Sequence, residues 1–342
     1  MKSYVQNYKI DIEKINNKEK IVCIADLHGL KLEKIQSVID CVNDANAKLV
    51  AISGDIMQGY NYDNPNAIKH LERTLSALSE NQPVVLCLGN HDLVGLTENG
   101  RINFKKLEQV RPGQIFPLDN EQITIDNYHV TGFCPTRGAF KAQFQNTGEA
   151  HEIFAKDFIK TGLKVGQDKD KIEILMSHAP HSVVSPIVQN LVPHIRNFDV
   201  ILSGHLHNGY ILSRMHLSSP ERYMDYGVWE LPYEKGKIRP WICAKTNLCR
   251  GVSYVNEKGQ QLIQLSNNLF YYVIDGKPLK IGVPSTYNFN GSTPLEFINK
   301  NALTPIVITG GLNKFASLPI DKAEVTTIEF TNSNVLKKIK SN

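Results

Sequence analysis

The sequence predicts an α/β fold, and two observations lead there. Short apolar runs rich in β-branched residues alternate with segments whose apolar residues recur at helical spacing. The chain is also long and apolar enough, at 342 residues and 42% hydrophobic, to bury a large core without disulfide staples. Strands joined through helices argue for right-handed βαβ units and a parallel sheet.

The elements follow in order. Lys20–Ala25 (KIVCIA) reads as a strand ending at Asp26, and Lys31–Asn46 as a helix with Leu32, Ile35, Val38, Ile39 and Val42 on one face. Leu49–Ser53 is a second strand, ending at Gly54-Asp55. Asn66–Glu80 repeats the helical spacing through Ile68, Leu71, Leu75 and Leu78. Pro83–Leu88 is a third strand, ending at Gly89-Asn90-His91-Asp92. From Ile115 to Phe133 the pattern turns antiparallel around an Asp126-Asn127 turn. Glu149–Thr161 is helical. Ile172–Met176 and Asp199–Ser203 are buried strands, ending at Ser177-His178 and Gly204-His205-Leu206-His207. Further on, Leu248–Val255 and Gln261–Leu265 read as a hairpin, and Asn268–Ile274 as an aromatic strand. Thr304–Thr309 and Glu324–Phe330 are late strands. Tyr210–Lys245 reads as irregular or inserted, Val283–Pro294 as loop, and the closing VLKKIKSN as a solvated end.

Composition narrows the function classes. With 38 basic against 34 acidic residues, the net charge of +4 is a weak footprint for nucleic acid. No apolar run reaches membrane-spanning length, and the polar N-terminus lacks a signal-peptide block, so a cytoplasmic protein is expected. The aromatics Tyr223, Tyr226, Trp229, Tyr233 and Trp241 read as a small extra core; peripheral membrane contact through them has no amphipathic anchor to support it. The six cysteines form no CxxC pair and read as reduced thiols.

Five strand ends carry metal-binding side chains: Asp26 and His28, Asp55, Asn90 with His91, His178, and His205 with His207. In open α/β sheets, ligands sit beyond the carboxyl ends of the strands, so these groups should converge. In extended chain the members of Asp26/His28 and of His205/His207 point the same way. Oxygen and nitrogen donors without a thiolate suit Mn, Fe, Zn or Co. The donors are too many for one ion and suit two ions sharing a carboxylate.

The ordered set Asp26-Leu27-His28, Gly54-Asp55, Gly89-Asn90-His91-Asp92, His178 and Gly204-His205-Leu206-His207 resembles the calcineurin-like metallophosphoesterase superfamily, with all five motifs intact. The resemblance implies a four-layer αββα sandwich of two mixed β-sheets flanked by helices, with a C-terminal insertion or cap. It divides the chain into a core at 1–214, an elaboration at 215–302, and closing strands with a tail at 303–342. It implies two divalent ions, or an Fe³⁺/M²⁺ pair, drawn from Mn, Fe and Zn. Asp26, His28 and His207 would hold the first, Asn90, His178 and His205 the second, and Asp55 would bridge them. His91 would face the substrate, with Asp92 orienting its imidazole. The activity implied is hydrolysis of a phosphodiester, pyrophosphate or phosphomonoester by in-line attack of a hydroxide held between the ions. A non-enzymatic scaffold on the same fold and a metal-dependent nuclease are the alternatives. The stretch Tyr8–His28 also resembles the YkuE-like branch, where Gly-Gly-Gln commonly follows the last motif; Asn208-Gly209-Tyr210 stand there in this chain.

Outside the pattern, His181 is placed to line the substrate cleft, three residues after His178. Arg137 and the histidines 70, 129, 151, 194 and 216 read as surface or satisfied residues.

Overall fold

Eighteen strands and several helices are seen in a computed structural model that describes residues 2–15, 17–140, 148–164, 166, 168–180, 186–205, 228–230, 241–243, 248–249, 251–255, 261–264, 270–274, 277–282, 304–309, 311–312 and 322–332. In chain order the strands begin with β1 (Lys2–Asp11), β2 (Glu19–Ile24), β3 (Leu49–Ser53), β4 (Val84–Cys87), β5 (Ile115–Leu118) and β6 (Glu121–Ile125). Next come β7 (Tyr128–Phe133), β8 (Ile172–Ser177), β9 (Val200–Ser203), β10 (Val228–Glu230), β11 (Trp241–Cys243) and β12 (Leu248–Cys249). The last six are β13 (Gly251–Val255), β14 (Gln261–Gln264), β15 (Phe270–Ile274), β16 (Lys277–Gly282), β17 (Thr304–Ile308) and β18 (Lys322–Thr331). The helices are α1 (Leu32–Asp44), α2 (Pro65–Leu78), α3 (Glu98–Lys106), α4 (Arg137–Phe140), α5 (Gly148–Thr161) and α6 (Pro186–Leu191).

Two mixed sheets organise the fold. The first runs β1-β18-β2-β3-β4-β5, with β2 to β5 parallel and β18 antiparallel to β2. The second runs β16-β15-β14-β13-β17-β9-β8-β7-β6, with a parallel centre from β17 to β7 and an antiparallel meander from β13 to β16. The hairpin expected around residues 256–259 is the β13–β14 pair. β10, β11 and β12 form a separate small antiparallel sheet, and the first two lie in the stretch read as irregular.

Side-chain alternation explains the four layers. Ile21 and Cys23 of β2, Ala51 of β3 and Val85 of β4 face Ile174 and Met176 of β8 and Leu202 of β9 in a core between the sheets. The intervening Val22, Ile24, Val50, Ile52, Val84 and Leu86 face the other way, onto Ile35, Val38 and Val42 of α1 and Leu71, Leu75 and Leu78 of α2. Leu175 and Ile201 do the same on the second sheet, against Phe154 and Phe158 of α5 and Val188 of α6. α2 begins cleanly because the Asn64 side chain accepts from the amides of Asn66 and Ala67 and Pro65 opens the first turn. The result is the αββα sandwich expected.

β1 was not expected as a strand. It lies at the sheet edge, parallel to β18 in unbroken register from Lys2↔Lys322 to Asp11↔Thr331, and buries only one face through Tyr8 and Ile10. Among the described residues, no helix is long and apolar enough to cross a membrane.

Candidate metal centre

The parallel strands deliver their carboxyl ends to one place. Asp26 and His28 follow β2, Asp55 follows β3, Asn90 and His91 follow β4, His178 follows β8, and His205 follows β9. The loops are sewn together just beyond the strands. The Asp26 amide donates to the Gly54 carbonyl (3.1 Å), the His28 amide to the Asp55 carbonyl (2.9 Å), and the Gly204 amide to the His178 carbonyl (3.2 Å). Asp26, His28, Asp55 and His205 all take left-handed backbone, with φ of 58°, 47°, 52° and 68°. Non-glycine residues rarely adopt it, and such strain gathers where a site over-determines the chain.

Asp55 stands at the centre. Its Oδ2 lies 3.1 Å from His178 Nε2 and 3.9 Å from His28 Nε2. Asp26 Oδ1 lies 3.9 Å from the same two nitrogens. His205 Nδ1 is 3.2 Å from His178 Nε2, and the His205 amide donates to Asp26 Oδ2 (3.2 Å). Two groups of ligand atoms result, each with all members within 4.8 Å of one another: His28, Asp55 and His91, and Asp55, His178 and His205. Asp55 belongs to both.

This arrangement fits cations. Asp26, Asp55 and His178 are almost completely removed from solvent, and the buried Asn90 Oδ1 accepts no hydrogen bond. Buried acceptors and carboxylates brought this close are costly until a cation joins them. Oxygen and imidazole donors match the Mn, Fe and Zn class.

The electrostatics reflect the same crowding. Burial works against charging His178, but the Asp55 carboxylate and then Asp26 outweigh it and raise the pKa to about 9. Its Nδ1–H donates to the Ser53 carbonyl (2.7 Å), which aims Nε2 at Asp55. Burial alone would raise the Asp55 carboxyl; the rings of His178, His28 and His205 instead hold it well below the usual carboxylate range.

Three motif glycines make room for these ligands. A Cβ at Gly89 would fall 2.3 Å from Asp55 Oδ1, one at Gly54 2.7 Å from His178 Nδ1, and one at Gly204 2.9 Å from Asp26 Oδ2. Gly54 also takes a φ of +84°.

His91 sits beside the centre, its amide donating to Asp55 Oδ1 (2.8 Å) and its ring edge-on to His28 at 4.8 Å between centroids. Asp92 does not orient that ring, contrary to the sequence reading. Its fully buried carboxylate turns back under the loop after β3 and accepts from the amides of Ile56 (3.1 Å), Met57 (2.8 Å) and Gly89 (2.7 Å) and from the Tyr62 hydroxyl (3.0 Å). Burial and then Asp55 push its pKa up to about 7 against those amide donors. The partner of the His91 ring is Gln58, whose Nε2 lies 2.7 Å from His91 Nδ1. Sequence reasoning missed Gln58, a lone polar residue in the loop after β3 that no spacing pattern marks. His70, read as a surface or satisfied residue, borders a cavity of about 280 Å³ next to His28, walled by Leu27, Ile56 and Met57. Arg137 is exposed at the start of α4. His207, His181, His216 and the aromatics Tyr223, Tyr226 and Tyr233 lie outside the described residues, as does the loop expected at 283–294.

The family model described as calcineurin-like phosphoesterase matches residues 19–209, over half of the chain and spanning every ligand above. The chain belongs to that family. Its centre brings together His and Asp groups suited to metal. A curated relative, the uncharacterized metallophosphoesterase Cj0846 of Campylobacter jejuni, is 25% identical over 238 residues, covering 68% of this chain and 56% of the relative. The chain therefore matches little more than half of that relative's length. Among solved structures, the phosphopantetheinyl hydrolase of Mycobacterium tuberculosis aligns at 13% identity over 56% of this chain and 84% of its own, with a TM-score of 0.33. A dimetal phosphatase from Danio rerio aligns at 13% identity over 74% and 95%, with a TM-score of 0.34. These structural likenesses are too loose to bear on substrate.

Proposed function

We propose that this calcineurin-like phosphoesterase hydrolyses a phosphodiester or pyrophosphate bond at a pair of divalent cations. One observation carries the reading: the Asp55 carboxylate reaches ligands of both sets, its Oδ2 lying 3.9 Å from His28 Nε2 and 3.1 Å from His178 Nε2. Asp26 and His28, with His207, would hold one cation; Asn90, His178 and His205 would hold the other; Asp55 would bridge. When bound, such a pair activates water and neutralises charge on the phosphate oxygens. The protein's own contribution is to keep the ligands pre-aimed. The Ser53 carbonyl fixes the His178 ring, the Gly54, Gly89 and Gly204 backbone leaves space for the ligands, and the Asp92 carboxylate ties the loops after β3 and β4 together. His91, beside Asp55 and half-buried, is placed to give a proton or hydrogen bond to the leaving oxygen.

The test is a substrate panel. Protein loaded with Mn²⁺, Fe²⁺ or Zn²⁺ is assayed on p-nitrophenyl phosphate, bis(p-nitrophenyl) phosphate, and nucleotide and lipid phosphate esters. Hydrolysis with diesters ahead of monoesters is expected. Loaded protein inert on the whole panel contradicts the reading.

A further inference from the structure

We infer that Gln58 is a positioning residue: its side-chain amide fixes the tautomer of His91, placing the ring proton on Nε2 and keeping the ring a hydrogen-bond donor rather than a metal ligand. This rests on the phosphoesterase reading for its consequence in turnover, but not for the tautomer itself.

The argument begins with an ambiguity in the centre. His91 is close enough to His28 and Asp55 to complete a cation site with them. A neutral imidazole can serve as ligand or as donor through a given nitrogen, never both, and the hydrogen bond at the other nitrogen decides which. That other bond is set by Gln58. Its amide nitrogen lies 2.7 Å from His91 Nδ1. An amide nitrogen only donates, so Nδ1 accepts and the proton of the neutral ring resides on Nε2. Nε2 then has no lone pair to offer a cation. It has an N–H to offer a leaving oxygen as a hydrogen bond.

The surroundings leave this task to Gln58. The carboxylate next in sequence, Asp92, is occupied by three backbone amides and the Tyr62 hydroxyl, with no contact to the ring. Asp55 meets His91 through its backbone amide, not its imidazole. The loop geometry holds Gln58 in place: the Gly59 amide donates to the His91 carbonyl (3.0 Å), so the segments carrying the two side chains are tied directly. A Cβ at Gly59 would fall 2.1 Å from the Asp92 carbonyl oxygen, and this close approach brings Gln58 within reach of the ring.

The isosteric change Gln58→Glu tests the inference, because a carboxylate accepts from Nδ1–H and so places a proton on Nδ1 while preserving shape. The readout is ¹⁵N-resolved NMR of the His91 ring at pH 8 in metal-free and Zn²⁺-loaded protein. In the wild type, Nδ1 should show the shift of an unprotonated nitrogen and Nε2 that of a protonated one; in Gln58→Glu Nδ1 should become protonated, and in Gln58→Leu the two tautomers should mix. Turnover gives the second readout. Gln58→Leu, which frees the ring, should slow hydrolysis of an alkyl diester more than that of a nitrophenyl diester, because nitrophenolate leaves without help at its oxygen. A protonated Nδ1 in the wild type, or a tautomer unchanged in Gln58→Glu, overturns the inference. Inactivity of the wild type on every ester, with the Nε2–H tautomer present, would instead sink the phosphoesterase reading and leave the assignment of Gln58 standing.

Discussion

Replacing Gly89 by alanine should empty the metal centre without unfolding the protein. Gly89 is not in the left-handed backbone region, so alanine meets no conformational obstacle there. The obstacle is space. The new methyl would lie 2.3 Å from Asp55 Oδ1, 2.4 Å from the Asp55 backbone nitrogen and 2.9 Å from His178 Cδ2, whereas ordinary contact begins near 3.4 Å. The carboxylate oxygen must therefore retreat by about 1 Å, about five times the roughly 0.2 Å within which metal–ligand distances are held. Disturbing a residue that merely supports a ligand costs about 10- to 100-fold in metal affinity. Moving the shared ligand itself should cost at least about 100-fold, or about 2.7 kcal/mol. Overpacking adds about 1–3 kcal/mol of destabilisation to the metal-free protein. Calorimetric titration with Mn²⁺ or Zn²⁺, paired with thermal melts of the metal-free protein, reads both quantities. A folded Gly89→Ala protein that binds both ions with wild-type affinity would refute the packing argument.

Other expectations follow from the same contacts. Asp55→Asn should abolish measurable turnover and lower metal content, read by elemental analysis beside kinetics, because the shared carboxylate is neutralised. Asp92→Asn should destabilise the fold by about 3 kcal/mol in denaturant titration, since an amide N–H₂ would confront backbone donors at a fully buried position. Tyr62→Phe, which removes one donor to that carboxylate, should cost about 1.5 kcal/mol in the same assay. The raised pKa of His178, about 9 in the metal-free protein, means that an incoming cation must displace a proton. Metal affinity should therefore fall about tenfold per pH unit on descending below about 9, and binding should release protons in proportion. The stabilisation that the protonated ring gives the metal-free fold is complete below about 6.5 and is lost as pH rises through about 9, so the metal-free melting temperature carries this decrement over that window. A pH-independent metal affinity between 6 and 9 would show that His178 is not the competing base.

The parallel core was readable at β2, β3, β4, β8 and β9, which are apolar on both faces and stop abruptly at candidate ligands. β5 and β7 end without one and were read as part of an antiparallel stretch, yet they pair parallel with β4 and β8, and within that stretch only β6–β7 is antiparallel. Leu49–Ser53 and the ends at Asp26 and His178 needed no tertiary information. α3 was not readable, because it buries little beyond Gly100 and Phe104 and shows no helical stripe. β1 was not readable because an edge strand buries one face only, and its pairing with β18 joins opposite ends of the chain. The gathering of Asp26, His28, Asp55, Asn90, His178 and His205 at the strand ends was legible as spacing. The direction of the Asp92 side chain was not: adjacency to His91 in sequence says nothing about which neighbour a buried carboxylate will find, and here it found the amides of the loop after β3. Gln58 escaped notice for the complementary reason, since a single polar residue in a loop acquires meaning only when the fold brings His91 Nδ1 to 2.7 Å.

The central claim is that Asp55 joins two cations, and anomalous diffraction from crystals equilibrated with Mn²⁺ tests it most directly. Two peaks flanking the Asp55 carboxylate are expected, one against Asp26 and His28 and the other against Asn90, His178 and His205. A single peak, or peaks that do not share Asp55, would contradict the account.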